Sequence, residues 1–199
     1  MLTTNRLCLR RCSRSDVDAV LAYRSRPDVA RHLSSGVWSR EKAEAELPLY
    51  EDADFSRAGD ELVLLVETLG SRTVIGEVGL VWLDRQPTTA EVGYVFDPRS
   101  GGHGFATEAV AAVIGAAFDT FGFTTVTAST DEKNLSSRAL CERLGMRLAS
   151  LQHSEDGRDV RECTYTIDAE QFARKAPADR ATRGRTRDSA PGDETAESI

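Results

Sequence analysis

The stretch Gly101-Gly102-His103-Gly104-Phe105-Ala106-Thr107 places three glycines directly before a run with helical spacing, an arrangement suited to holding a phosphate. Glycines let a backbone turn its N–H groups inward with no side chain in the way. Apolar residues at Ala106, Ala109, Val110, Val113 and Ala117 predict a helix that begins at Phe105-Ala106 and runs to Phe121. The first N–H groups of such a helix are unpaired and sit at the positive end of its dipole. A phosphate or pyrophosphate fits there. The same glycines also suit a plain tight connection, so the loop by itself does not name a ligand. Two nucleotide readings are excluded. A Walker A loop needs Lys and then Ser or Thr after its last glycine, and Phe105-Ala106 stand there. A dinucleotide fingerprint needs a parallel βαβ unit, whereas the strands before this loop read as an antiparallel meander.

The elements that must position this loop are legible from periodicity and turn residues. Arg6 to Arg11 alternates as a half-buried first strand, and Ser13 or Ser15 caps a helix through Val17, Val20 and Tyr23 that ends before Pro27. A second helix starts at Ser39 and stops near Pro48 or slightly beyond. Glu61 to Thr68, Val74 to Leu83 and Ala90 to Phe96 are strands joined by turns at Gly70-Ser71 and Gln86-Pro87-Thr88-Thr89. After the glycine loop and its helix come a strand over Thr124 to Ser129 and a helix over Asn134 to Leu144, which Gly145 ends. A last hairpin, Met146 to Gln152 and Val160 to Ile167, turns around Glu155-Asp156-Gly157-Arg158. The sum is an α+β fold: a mixed, mostly antiparallel sheet of seven strands with helices on both faces, spanning residues 1–175. Residues 176–199 have almost no large apolar side chain to offset ordering entropy and read as a disordered tail.

Bulk properties narrow the classes further. The chain has 199 residues, enough for one domain with a full core, and a net charge of −7. That charge argues against a broad nucleic-acid surface but not against a small anion held by backbone groups. Cys8, Cys12, Cys141 and Cys163 show no zinc spacing, so no metal is expected, and no run approaches membrane-spanning length. The opening MLTTNRLCLRRCS lacks an apolar signal region, which favours the cytoplasm and reduced thiols.

Several runs together resemble the GNAT N-acetyltransferase family. Gly102 to Ala109 resembles that family's acetyl-CoA pyrophosphate motif, and Asn134 to Met146 its second cofactor motif. Thr4 to Arg10, Gly76 to Leu80 and Glu91 to Phe96 are similar to the ribosomal-protein N-terminal (RimJ/RimL-like) acetyltransferase branch. Anchoring the first motif on Ala106-Thr107-Glu108-Ala109 puts Gly101 where the family usually carries Arg or Gln. An alternative register through Arg99 shifts the helix start by two residues.

The resemblance implies acetyl-CoA as acyl donor and direct attack by a primary amine, on a protein N-terminus or a small molecule. It implies a cleft between the strand ending at Phe96 and the next strand. Cofactor contacts are then expected from Tyr94, Val95, Phe96, Gly101, Gly102, His103, Gly104, Phe105, Ala106, Thr107, Asn134 and Ser137. Acyl transfer needs a neutral amine, a polarised carbonyl and a proton for the leaving thiolate. Glu91 is the carboxylate favoured as general base, with Asp131 and Glu132 in reserve. The ordinary alternative for Glu91 is a paired strand residue. Many family members carry Tyr at the position of Cys141, and in the ribosomal-protein-like branch the Ser at the position of Ser137 is suggested to protonate the thiolate. Asn134 serves equally as a helix cap. The acceptor side falls to the first two helices with Tyr23, His32, Trp38 and Tyr50, and to Trp82 and the Arg158 hairpin. A succinyl-CoA-using enzyme and a catalytically silent CoA-binding sensor are the competing readings, and the oligomeric state is expected to be monomer or homodimer.

Overall fold

Eight strands form one sheet in the order β1-β2-β3-β4-β5-β6-β8-β7 in a computed structural model that describes residues 1–83, 88–153 and 161–175. They are β1 (Leu2–Thr3), β2 (Leu7–Arg11), β3 (Glu61–Thr68), β4 (Val74–Trp82), β5 (Thr89–Phe96), β6 (Thr125–Asp131), β7 (Arg147–His153) and β8 (Arg161–Asp168). All neighbours are antiparallel except β5 and β6. The expected count of seven strands is one short. The additional strand is β1, whose Leu2 and Thr3 pair with Leu9 and Cys8. Two residues carry no periodicity, so only the pairing reveals them.

Both faces of the sheet carry helices. Ala109, Val110, Val113, Ile114 and Ala117 of α4 (Phe105–Asp119) and Leu140 and Leu144 of α5 (Leu135–Leu144) pack on Leu62, Leu64, Val66, Val78 and Leu80. Phe172 of α6 (Ala169–Lys175) joins that core. On the opposite face Val20 and Tyr23 of α1 (Val17–Arg24) and Ala43 and Leu47 of α3 (Arg40–Asp52) meet Leu65 and Val95. The central β3 is accordingly buried on both sides, which is why its sequence reads as a continuous apolar run.

Local signals account for most boundaries. Ser13 forms a capping box with Asp16 at the 3-10 turn (Arg14–Asp16) that leads into α1, Ser39 accepts from the Lys42 N–H to start α3, and Gly145 ends α5 in the left-handed conformation. Three details differ from expectation. Pro27 does not merely stop a helix; it opens the four-residue α2 (Pro27–Ala30) at a position where its missing N–H costs nothing. Helix α3 continues through Pro48 to Asp52. Helix α6 follows β8 directly, anchored by a single large apolar side chain, Phe172. The turn expected at Gln86-Pro87, the one at Glu155 to Arg158, and the tail 176–199 lie outside the described residues.

One irregularity of the sheet matters for function. Strands β5 and β6 pair only at Thr89↔Thr125, Ala90↔Val126 and Glu91↔Thr127. Beyond that point β5 stays with β4 as far as Phe96 and β6 stays with β8 as far as Asp131. The two central strands therefore part company and leave a V-shaped opening.

Candidate active site

Backbone alternation decides which groups of β5 face the opening. The carbonyls of Thr88 and Ala90 accept from β6-side donors, whereas Thr89 O and Asp97 N bond toward β4. Groups on a strand alternate sides, so the N–H groups of Tyr94 and Phe96 point into the V with no strand to pair them. At the mouth of the V stands the glycine loop. Gly102 and Gly104 have φ of 80° and 75°, a region that L side chains avoid, and Gly104 is the N-cap of α4. The helix starts at Phe105, as the register anchored on Ala106-Thr107 requires. Arg99 turns away instead, with its guanidinium on Asp97 and on the Ala22 carbonyl.

These parts surround one cleft of about 970 Å³. Tyr94, Val95, Phe96, Gly101, Gly102, Gly104, Phe105, Ala106, Thr107, Asn134 and Ser137 all line it. Two of the expected residues do not. His103 sits on the outer side of the loop, where its carbonyl accepts from Arg6 Nη1 at 2.9 Å. Glu91 occupies the last register at which β5 pairs with β6, opposite Val81 on one side and Thr127 on the other. Ala90 and Val92 face α4 while Val95 faces α1 and α3, so Glu91 projects on the α1/α3 side at the apex of the V.

On the far wall of the cleft, α5 is held by Asn134, whose Oδ1 accepts from the Ser137 N–H at 3.2 Å. Its capping role is therefore present. The Tyr94 hydroxyl reaches across to this helix, 2.8 Å from Ser137 Oγ and 3.4 Å from Cys141 Sγ. Burial, with the Cys141 sulfur beside it, pushes the Tyr94 phenol far above its usual value, so it stays protonated. Burial likewise raises the Cys141 thiol. A neutral buried thiol is a poor nucleophile, and Cys141 behaves as a packed residue. A Tyr hydroxyl thus reaches position 141 of α5 from β5.

Three features escaped the sequence reading. Arg31, Lys133 and Arg143 bring positive charge to the cleft lining, against Asp28 and Asp97. Arg143 was accessible in principle, since Ser136, Leu140 and Arg143 follow helical spacing on one face. The second is a clamp under the loop. Glu108, in the first turn of α4, accepts from Thr4 Oγ1 at 2.6 Å, from the Arg6 N–H at 3.0 Å and from Arg6 Nε at 2.7 Å. Burial opposes ionisation of Glu108, but the hydrogen bonds from Thr4 and Arg6 prevail and lower its pKa. The third is the contact of His32 with Asp131, 99 positions apart and without any sequence signal.

The sheet thus opens between β5 and β6, its parallel pair, with a glycine loop and a helix N-terminus at the opening. Residues 6–147 match the family described as Acetyltransferase (GNAT) domain, and the chain belongs to that family and is an acyltransferase enzyme. It is 27% identical to the uncharacterized N-acetyltransferase YoaA of Bacillus subtilis over 154 residues, 74% of this chain and 82% of that one. Among solved structures, a GNAT-family acetyltransferase from Bacillus anthracis superposes with a TM-score of 0.76 at 23% identity, covering 85% of this chain and 98% of that chain. Spermidine N-acetyltransferase from Vibrio cholerae, solved with CoA and spermine, gives 0.71 at 18% identity, covering 85% and 99%. Among the described residues no group of three or more His, Cys, Asp or Glu side chains is placed to hold a metal ion.

Proposed function

We propose that the protein transfers an acetyl group from acetyl-CoA to a primary amine, of a protein N-terminus or a small molecule, by direct attack. The observation that carries this reading is the parting of β5 from β6 beside the glycine loop. The pyrophosphate rests on the N–H groups of the loop and the first turn of α4, with Arg31, Lys133 and Arg143 balancing its charge. The pantetheine arm lies along β5 and against Asn134, and an N–H of Tyr94 or Phe96 receives the developing oxyanion. His103 contributes to the loop through its backbone. The Thr4-to-Arg6 segment ties down Glu108 beneath the loop.

Glu91, at the apex on the α1/α3 face, draws in the acceptor as an ammonium ion and removes its first proton through water, leaving the amine neutral. Ser137 Oγ, hydrogen-bonded to the Tyr94 hydroxyl, supplies the proton to the departing thiolate. The test is thiol release from acetyl-CoA and succinyl-CoA against a panel of amines. Acetyl-CoA turnover with at least one amine is expected, and Ser137→Ala should lower kcat roughly 10- to 100-fold with the acetyl-CoA KM unchanged. Tight CoA binding without turnover on any amine would instead identify a silent sensor, and exclusive use of succinyl-CoA would reassign the donor.

The clamp beneath the loop makes a separate prediction. Arg6 does not line the cleft, yet Arg6→Ala removes the guanidinium that holds both Glu108 and the His103 carbonyl. Acetyl-CoA affinity, read by calorimetry, should fall about tenfold while circular dichroism is unchanged. Since the folded pKa of Glu108 is depressed, the clamp contributes fully above the ordinary carboxyl value of 4.5 and fades as pH falls through the lower folded value. The difference between wild type and variant should therefore persist from neutral pH down to mild acid. Equal affinities would show that the loop holds its shape alone.

A further inference from the structure

The contact between His32 and Asp131 joins two elements that are otherwise distant, the segment after α2 and the end of β6. Asp131 is the last residue of β6, on the arm of the V that faces β5 across the opening. Its side chain is only 8% exposed. One oxygen accepts from the Lys133 N–H at 2.8 Å, and the other lies 2.9 Å from His32 Nδ1. Burial alone would favour the neutral carboxylic acid, but the hydrogen bonds from Lys133 and His32 lower the pKa, so the group is a carboxylate. A carboxylate only accepts hydrogen bonds. His32 Nδ1 therefore carries the hydrogen, and in the neutral ring Nε2 is left with a free lone pair. His32 lines the cleft together with Val95, Phe96, Asn134 and Ser137.

We infer that His32 is the catalytic residue that takes the amine proton as the C–N bond forms, and that Asp131 is the positioning residue that fixes its tautomer. This assignment rests on the acyl-transfer reading of the cleft. The neutral amine that reaches the thioester still has one proton to lose. Its lone pair forms the bond to the carbonyl carbon, and the carbonyl π pair moves onto oxygen under the β5 N–H groups. The N–H proton passes to His32 Nε2. The oxygen pair then returns, the C–S bond breaks, and the sulfur takes a proton from Ser137 Oγ. Ser137 is refilled through the Tyr94 hydroxyl and water, to which the His32 imidazolium gives up its proton. One amine and one thioester become one amide and one thiol, and no further reactant is needed. The arrangement divides the labour that a single carboxylate was expected to perform: Glu91 acts on the ammonium before attack, and His32 acts on the nitrogen during it.

The charged and titratable groups around the His32 ring are Asp28 and Arg31 from its own segment, Asp97 after β5, Asp131 at the end of β6, Lys133 before α5, Arg143 from α5 and Tyr94 from β5; all but Asp131 line the cleft. Of these only Asp131 is hydrogen-bonded to the ring. The experiment measures kcat, both KM values and the pH profile with acetyl-CoA and the best amine of the panel, for wild type, His32→Asn, Asp131→Asn and Glu91→Gln. His32→Asn should lower kcat about 100-fold, leave the acetyl-CoA KM within about twofold, and erase the acid limb of the kcat profile. Asp131→Asn should keep that limb but displace it and lower kcat roughly 10-fold or more, because an amide no longer dictates which ring nitrogen is protonated. His32→Asn with the wild-type rate and profile overturns the assignment while leaving the acyltransferase reading standing. So does loss of the same limb in Glu91→Gln with His32 intact. A wild type that binds acetyl-CoA but acetylates no amine overturns both.

Discussion

Replacing Gly104 by valine is expected to abolish acetyl-CoA binding and leave the protein folded. Gly104 is the N-cap of α4 and has a φ of 75°. A β-branched residue is strained there at a cost of about 1–2 kcal/mol, small beside the 5–15 kcal/mol of an ordinary domain. A Cβ at this position meets only Arg6 Nη2 at 3.7 Å, an ordinary contact with the end of a flexible side chain. Gly104 itself lines the cleft, so any change at its backbone reaches the ligand side. Either the valine occupies the space of the pyrophosphate, or the backbone relaxes out of the left-handed region and turns the helix N–H groups away. A ligand at 100 times its Kd adds about 2.7 kcal/mol to stability, so wild type should show a clear thermal shift with acetyl-CoA and the variant none. Gly104→Ala, with less bulk and less strain, should fall between the two. Undiminished binding by Gly104→Val would remove the loop from the cofactor site.

The loop was legible because a left-handed backbone leaves glycine as its mark at 102 and 104. Helix ends with side-chain caps at Ser39 and Asn134 and a glycine stop at Gly145 were legible for the same kind of reason. Strand β1 was not, because two residues show no period, and neither was α6, whose hold on the core is Phe172 alone. Glu91 illustrates a subtler loss. Its strand is legible, yet Tyr94 and Glu91 are an odd number of residues apart and so lie on opposite faces of the sheet. The period-two rule already implied that both could not line one wall. The motif at Thr4 to Arg6 could be recognised as a pattern, but its cause, a carboxylate 102 positions beyond Arg6, exists only after folding. The His32–Asp131 contact is of the same kind. Polar side chains that meet through tertiary structure impose no periodicity on the chain.

Glu77→Ala should destabilise the protein strongly, on the scale of opening a cavity in the core. Glu77 stands on β4 opposite Val95, almost fully buried under α1. It accepts from the Tyr23 hydroxyl at 2.7 Å and forms an ion pair with Arg24, whose guanidinium lies 4.7 Å over the Trp38 ring. Truncation leaves a buried cation and a buried hydroxyl without their acceptor, and breaking such a pair from one side costs about 3–5 kcal/mol. For a chain of this size that corresponds to a fall in Tm of roughly 6–20 °C. Tyr23→Phe, which removes one neutral donor and keeps the ion pair, should cost only about 1 kcal/mol. The loss should also reach catalysis. Helix α1 leads through Pro27 and α2 into His32, so Glu77 fixes the helix from which that ring is presented to the cleft. Well below its lowered Tm, Glu77→Ala should still bind acetyl-CoA at the glycine loop, since Glu77 does not line the cleft, yet turn over more slowly. A variant with a Tm within about 3 °C of wild type would mean that Arg24 and Tyr23 find other partners, and that α1 is held to the sheet by its apolar face alone.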